Sequence, residues 1–350
     1  MTRLADLHTP ALLVDEDVLD RNIAEMAAAR PGPRLRPHVK AHKCTHLARR
    51  QAAAGHLGFT CATIRECEGM VAAGLGTDLL LANEVLDASR IGVLVAAGAR
   101  VTVAVDSLPT IEAAAAGGVS EVVIDVNVGL PRCGCQPADA GRLADLARAR
   151  GLAVRGAMGY EGHVVGLTDA TERARKCQTA MELLVAAHAD VGGELISAGG
   201  TGTYACNTWA TEIQAGSYAL MDSAYGRLGL PFGQALFVLA TVVSSTVVSR
   251  TVESRTVESS TREWSVANAG LKAFGMDHGN PALDGAEIWF CSDEHTVFAD
   301  HEGFAPARSV GDRVSLVPAH VDPTMAYHER AYLYRGDEVV DIWPIDLRGW

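Results

Sequence analysis

The stretch RPHVKAHK, residues 36–43, places Lys40 and Lys43 three positions apart behind a short apolar run. A lysine at the end of a buried strand can give up its proton and form a Schiff base with a carbonyl group; a lysine in the turn beyond is ordinarily a solvated charge. Lys40 holds the first position, and Lys43 and His42 hold the second. Near the other end of the chain, PAHVDPT carries His320 and Asp322 at i and i+2. On a strand that spacing turns both side chains to one face and Val321 to the other, with prolines on both sides to stiffen the segment. An imidazole and a carboxylate so held can grip a divalent cation, and an exposed polar face is the competing explanation. A third stretch, SAGGTGTY, offers Gly200 and Gly202 for close backbone approach and Thr201 and Thr203 as hydroxyl donors. Both a phosphate cradle and a plain flexible turn fit that composition.

These residues need a scaffold, and the chain suggests one. From residue 16 to about 222, short β-branched or apolar runs alternate with Ala-rich amphipathic segments, the signature of β/α units. Candidate strands lie near 34–39, 58–62, 78–82, 100–105, 121–127, 153–158, 194–198 and 217–221. The fold class is therefore α/β, a (β/α)8 TIM-type barrel, with an open doubly wound sheet as the alternative. After about residue 235 the texture changes to strand-like runs separated by turn residues, which reads as a second, mostly β domain. The expected division is a barrel over 15–234 and a β-rich domain made of 1–14 plus 235–350, with ALLVD at 11–15 as one of its strands. Barrel chemistry sits at the C-terminal ends of strands and in the loops beyond. Those positions hold Lys40, Thr63, Asn83, Asp106, Asn127, Arg132, Tyr160, His163, the Gly/Thr loop, Asp222 and Tyr225.

Composition removes several function classes. Thirty basic against forty-two acidic residues give a formal charge of −12, with no basic stripe, so neither nucleic acid nor an anionic membrane is an expected partner. The N-terminal segment lacks a cationic start ahead of a long apolar run, and IGVLVAAGA is too short to span a bilayer. Eight scattered cysteines without a Cys-x-x-Cys motif point to reduced thiols in a cytoplasmic protein. The tandem pentad SRTVE SRTVE at 249–258 has an odd period, which conflicts with an unbroken strand and suggests a protruding surface feature.

TPALLVD, RPHVKAHK, LLLANEV, VNVGLPRCG, GGTGT, EIQAGSYALMD, SDEH and PAHVDPT occur in that order between about residues 9 and 328. Together they closely resemble the D-threonine aldolase and D-serine dehydratase family, which shares the alanine racemase-like fold of pyridoxal 5′-phosphate (PLP) enzymes. The resemblance implies that Lys40 carries PLP covalently and that Arg132 lies near the phenolic oxygen of the cofactor. It also implies that Tyr160 and His163 lie by the cofactor ring, and that Gly200, Thr201, Gly202, Gly216, Ser217 and Tyr218 cradle the phosphate. His320 and Asp322 become the metal site. In this family His-x-Asp is typical of the aldolases and His-x-Cys of the dehydratases. The harder donor set suits Mn²⁺ or Mg²⁺, with Zn²⁺ the alternative.

The function so implied is a PLP- and metal-dependent lyase that cleaves a small D-3-hydroxy amino acid to glycine and an aldehyde, working as a homodimer. His163 is the residue expected to serve as catalytic base beside Lys40, with a metal-held hydroxide as the alternative. Competing functions are a D-serine or 3-hydroxyaspartate dehydratase, an amino-acid racemase, a PLP carrier without turnover, and a metal-free Schiff-base aldolase acting on a sugar phosphate. In GYEGHVVG the chain departs from the Tyr-His-Gly stretch that many relatives carry, which bears on the role of His163. His295, in SDEH, is a further candidate for the metal region or for a plain turn.

Overall fold

The computed structural model describes residues 2–246, 264–304 and 308–350, so the pentad at 249–258 lies outside the described residues. The chain forms two compact units. One comprises Asp20–Ala219, Arg227–Phe232 and Ile345–Trp350; the other comprises Met1–Leu19, Leu220–Gly226 and Gly233–Pro344.

Strand β1 (Ala11–Asp15) belongs to the second unit, and the next seven strands build the first. They are β2 (Phe59–Cys61), β3 (Leu79–Leu81), β4 (Val101–Val105), β5 (Glu121–Asp125), β6 (Ala153–Gly159), β7 (Leu195–Ala198) and β8 (Glu212–Ile213). Each pairs in parallel with the next to give one curled sheet. Helices between the strands cover the outer face, so strands such as β4, VTVAV, are buried at every position. Leu35–His38 joins the two sheet edges by bridging Ile213 on one side and Thr60 on the other. The Arg36 N–H donates to Ile213 O at 2.9 Å, His38 N–H to Ala215 O at 3.1 Å, and Thr60 N–H to Pro37 O at 2.9 Å. Pro37 has no N–H to give, so this stave cannot form a regular ladder, yet it closes the expected eight-stave barrel.

The last stave is not where the sequence places it. Residues 217–219 form a 3-10 turn, and β8 lies upstream at Glu212–Ile213. Tyr218, Ala219, Leu220 and Met221 are apolar because they are buried, and a short apolar run does not distinguish a strand from an inserted turn. Met221, at φ 59°, has left-handed backbone that no strand contains.

Inside the barrel, Leu80, Ala104, Val123, Met158 and Leu195 form an apolar cluster. A charged layer accompanies it. Arg36 binds Glu212 and Asp78, each at 2.8 Å, and Arg155 binds Asp78 at 2.9 Å and Thr102 Oγ1 at 2.9 Å. Arg155 reaches this layer through an irregularity in the ladder: Val122 pairs with Val154 and Val123 with Gly156, which leaves Arg155 as the extra residue of a bulge.

The second unit is an eight-stranded mixed sheet. Its long spine is β9 (Leu236–Thr246), which pairs antiparallel with β1, with β10 (Trp264–Ala267) and with β13 (Arg313–Leu316). Strands β11 (Ala286–Cys291) and β12 (Thr296–Asp300) extend it beyond β10, while β14 (Arg330–Arg335) and β15 (Glu338–Pro344) extend it beyond β1. Pairing of β1 with both β9 and β14 places ALLVD among the C-terminal strands, as the sequence suggested.

Gly156 is a barrel position with no room for a side chain. Its φ is 151°, and a Cβ there would stand 1.9 Å from Leu195 O on β7. The Gly156→Ala variant should lose more than about 2 kcal/mol of stability, read as a lower midpoint in urea unfolding; an unchanged midpoint would show that the β6–β7 ladder yields freely.

Candidate active site

The C-terminal rim of the barrel gathers several of the residues picked out by sequence. Lys40 lies in a 3-10 turn, Val39–Ala41, immediately beyond the closing stave. Its Nζ is 6.0 Å from the centroid of the Tyr160 ring, and Arg132 Cζ is 5.4 Å from the same ring. Tyr160 follows β6 and Arg132 stands in the loop after β5, so one ring brings together three residues far apart in sequence. The second lysine of the motif is occupied otherwise. Lys43 makes an ion pair with Glu66, a fully buried carboxylate that also accepts the Ala62 N–H. His42 is buried and its Nδ1 accepts the Cys44 N–H at 3.1 Å. Burial, helped by the charges of Lys40 and His42, pushes His38 well below the ordinary histidine range, so this neighbour of Lys40 is neutral.

The loop after β7 is built against the loop after β6. A Cβ on Gly202 would lie 1.8 Å from Val165 O, and one on Gly200 would lie 3.5 Å from the Tyr160 ring, so the backbone runs close beneath that residue. Thr201 Oγ1 accepts the Tyr218 N–H at 3.0 Å and Thr203 Oγ1 accepts the Gly200 N–H at 3.2 Å. Gly216 is jammed against the Lys40 turn: a Cβ there would stand 2.5 Å from His38 O and 2.9 Å from Ala41 Cβ. Ser217 opens the 3-10 turn that carries Tyr218, whose phenol accepts from Gln51 Nε2 at 3.0 Å. Loop geometry is thus fixed by the N–H groups of Gly199, Gly200, Thr203 and Tyr218, and among the described residues those of Thr201 and Gly202 find no acceptor. A lysine, a guanidinium and an aromatic ring beside a glycine loop with N–H groups to spare make a donor set that fits a phosphorylated aromatic aldehyde.

Two contributors escaped the sequence reading. Glu161 is fully buried and accepts from Thr203 Oγ1 at 2.8 Å, from Gly199 N at 3.1 Å and from Asn207 Nδ2 at 3.2 Å, so a carboxylate underpins the Gly/Thr loop. As a lone glutamate in a loop, it carried no pattern that would separate it from a solvated one. Asp125, the last residue of β5, is the other: burial, and then Glu84 hydrogen-bonded to it, push its carboxyl well above the usual range against the pull of Arg132. His163 is exposed, with its ring over Gly129, where a Cβ would meet His163 Cε1 at 2.9 Å.

In the second unit the His-x-Asp pair is held differently from the expected strand. His320 is the N-cap of a short helix, Val321–Tyr327, and Asp322 lies in its first turn. A proline at the third helical position costs no hydrogen bond, and an aspartate is favourable near a helix N-terminus, so VDPT starts a helix where alternation suggested a strand. The pair still converges: His320 Nε2 and Asp322 Oδ1 are 4.0 Å apart. The buried Asp222 accepts the Val321 N–H at 2.9 Å and the Tyr225 N–H at 2.8 Å, and burial raises its carboxyl pKa. On the other side of the imidazole, Nδ1 meets Asp277 Oδ2 at 2.7 Å, and the His278 ring stacks on His320 at 3.9 Å. Asp277, His278 and His320 each bring a donor atom to within 4.8 Å of the others, and the sequence reading missed the first two. Although burial works the other way, the His320 hydrogen bond and the charges of His320 and His278 hold the Asp277 carboxyl below its ordinary range. His295 is exposed in the β11–β12 turn, where its carbonyl accepts the Ser292 N–H at 2.8 Å.

Comparison with known proteins agrees with both halves of this geometry. Residues 14–224 match the family model described as alanine racemase, N-terminal domain, and residues 235–334 match the putative serine dehydratase domain. The chain is 34% identical to a D-threonine aldolase of Arthrobacter sp., over 99% of this chain and 94% of that one. The chain belongs to this family. A D-threonine aldolase structure from Filomicrobium marinum superposes with a TM-score of 0.87 at 35% identity, covering 99% of this chain and 96% of the other. A D-threo-3-hydroxyaspartate dehydratase of Delftia sp. is 28% identical over 99% of each chain. In this alanine racemase-like fold the rim residues stand at the ends of barrel strands, and among the described residues no helix is long and apolar enough to cross a membrane.

The contact of Gly216 with the Lys40 turn can be tested directly. Gly216→Ala should displace His38–Ala41 and weaken PLP binding by at least about tenfold, a change of about 1.4 kcal/mol. PLP titration followed by absorbance reads the effect, and an unchanged Kd would mean that the turn absorbs the extra methyl.

Proposed function

We propose that the protein is a lyase that cleaves D-3-hydroxy amino acids to glycine and an aldehyde, with PLP on Lys40 and a divalent cation held by His320 and Asp322. The donor set at the helix start carries this reading. An imidazole and a carboxylate 4.0 Å apart suit Mn²⁺ or Mg²⁺, whereas a thiolate in place of Asp322 would favour Zn²⁺ and, by the family resemblance, dehydration. The aldolase relative is also the more similar, at 34% against 28% for the dehydratase.

The reaction balances without an oxidant or water: the Cα–Cβ bond breaks, the β-hydroxyl loses its proton to a base, and Cα gains a proton. PLP, when bound, supplies an electron sink for the pair released at Cα. A divalent ion, when bound, supplies Lewis acidity toward a hydroxyl. Residues of the chain do the rest. Lys40 provides the amine that holds the cofactor and exchanges with the amino group of the substrate. Arg132 sets a positive charge at the ring substituent, and burial that drives Asp125 toward its neutral form removes one negative charge that would otherwise oppose it. Tyr160 presents its ring within 6.0 Å of Lys40 Nζ and 5.4 Å of Arg132 Cζ. Thr201, Gly202, Gly216 and Ser217 receive the phosphate on backbone N–H groups, with Gly200 and Tyr218 shaping the cradle. His163, three residues past Tyr160 on the same rim, takes the β-hydroxyl proton. The proposal further takes the enzyme as a homodimer in the cytoplasm, in keeping with the resemblance and with eight cysteines that form no disulfide.

A second reading, dehydration to a 2-oxo acid and ammonia, has the serine dehydratase domain match in its favour. A panel of D- and L-amino acids, run with and without chelator, separates the two. D-threonine should give glycine and acetaldehyde only when metal is present, and ammonia with 2-oxobutanoate would establish the dehydratase. Borohydride reduction of the same enzyme and peptide mapping should place the label on Lys40; a label elsewhere would refute the assignment. His163→Ala should lower kcat by about 10²- to 10⁴-fold while leaving PLP absorbance intact, and an unchanged kcat would remove His163 as the base.

A further inference from the structure

The two nitrogens of the His320 ring face different partners. Nδ1 lies 2.7 Å from Asp277 Oδ2, a hydrogen-bonding distance, while Nε2 lies 4.0 Å from Asp322 Oδ1. Two bonds of about 2.1 Å at the right angle of an octahedral ion span about 3.0 Å, so a closing of the Nε2–Asp322 gap by about 1 Å lets both groups hold one cation. The Nδ1–Asp277 distance is instead that of a shared proton.

The segment bearing Asp277 is strapped to the helix start. Gly275 bridges to His320, its N–H donates to Thr324 Oγ1 at 3.1 Å, and Thr324 Oγ1 donates to His320 O at 2.7 Å. A Cβ on Gly275 would stand 2.1 Å from Pro323 Cγ, so only glycine lets the segment come this close. His278 completes the support by stacking on His320 with an interplanar angle of 13°. That stacking also decides against a site made from Asp277, His278 and His320 together. An imidazole binds a metal in its own ring plane, and two stacked, nearly parallel rings with centroids 3.9 Å apart do not aim their lone pairs at one ion.

We propose that Asp277 is a positioning residue for the cation: it accepts the Nδ1 proton of His320, fixes the tautomer that leaves a lone pair on Nε2, and aims that lone pair at the space before Asp322. His278 holds the plane of the ring. This inference rests on the reading of His320 and Asp322 as the metal ligands.

Mn²⁺ binding to the chelator-treated holoenzyme, followed by electron paramagnetic resonance, tests both levels separately. Asp277→Ala should weaken Mn²⁺ binding about 10- to 100-fold, and Asp277→Asn, which keeps an acceptor for Nδ1–H, should recover most of the loss. His320→Ala should abolish binding, and wild-type affinity in that variant would overturn the ligand reading itself. Wild-type affinity in Asp277→Ala, with His320→Ala inactive in binding, would overturn the positioning role alone. Pulsed measurements should show nitrogen coupling from one imidazole, with the remote-nitrogen signal altered in Asp277→Asn. Two coupled imidazoles, or a remote signal indifferent to that substitution, would refute the proposal even if the alanine variant failed to fold.

Discussion

Closure of the barrel through a segment that contains proline is the constraint on which the rest depends. Seven staves pair by parallel ladders, one of them bulged at Arg155, but Leu35–His38 holds the two sheet edges with a handful of bonds because Pro37 cannot donate. The chain leaves that stave directly into the turn bearing Lys40, so the position of the amine is set by how the barrel closes. Gly216 packs against the same turn from the neighbouring loop and leaves it no room to drift. Tyr160 and Arg132 then meet Lys40 because the ends of β5 and β6 lie on the same rim.

The barrel interior carries a charged layer beside its apolar one. Arg36, Arg155, Asp78 and Glu212 are linked by short ion pairs; Thr102 Oγ1 accepts a further N–H of Arg155, and Ser197 Oγ donates to Glu212. Buried charges are tolerable only when each is matched and hydrogen-bonded, and this network meets both conditions. A bulge at Arg155 and the unusual backbone of Gly156 place the second guanidinium within it. Glu161 applies the same logic near the rim, where three donors converge on one carboxylate and hold the Gly/Thr loop from below.

Much of this was legible in the chain. Alternating β and α texture identified the barrel, and Lys40, Tyr160 and Arg132 stood at the ends of the right strands. Signals failed where burial and periodicity part company. YALMD is apolar because it is buried, not because it is extended, so the last stave was placed several residues too late. The HVD triplet satisfies strand spacing and helix-start chemistry equally: His320 is still extended and bridges to Gly275, and the helix begins one residue later at Val321. Glu161, Asp125 and Asp277 were invisible for one shared reason: a carboxylate that works through another residue has no local motif, and its partner comes from a distant part of the sequence.

The helix start at His320 has a consequence for how such a centre changes over generations. A donor on a paired strand is tied to the alternation of its ladder, and an insertion nearby turns it to the opposite side. Asp322 stands instead in the first turn of a helix, where its backbone N–H has no obligatory intrahelical acceptor and where many side chains are accommodated. Exchanging the carboxylate there for a thiol disturbs no register, so the donor chemistry presented beside His320 can be rewritten by a single codon while the surrounding architecture stays as it is.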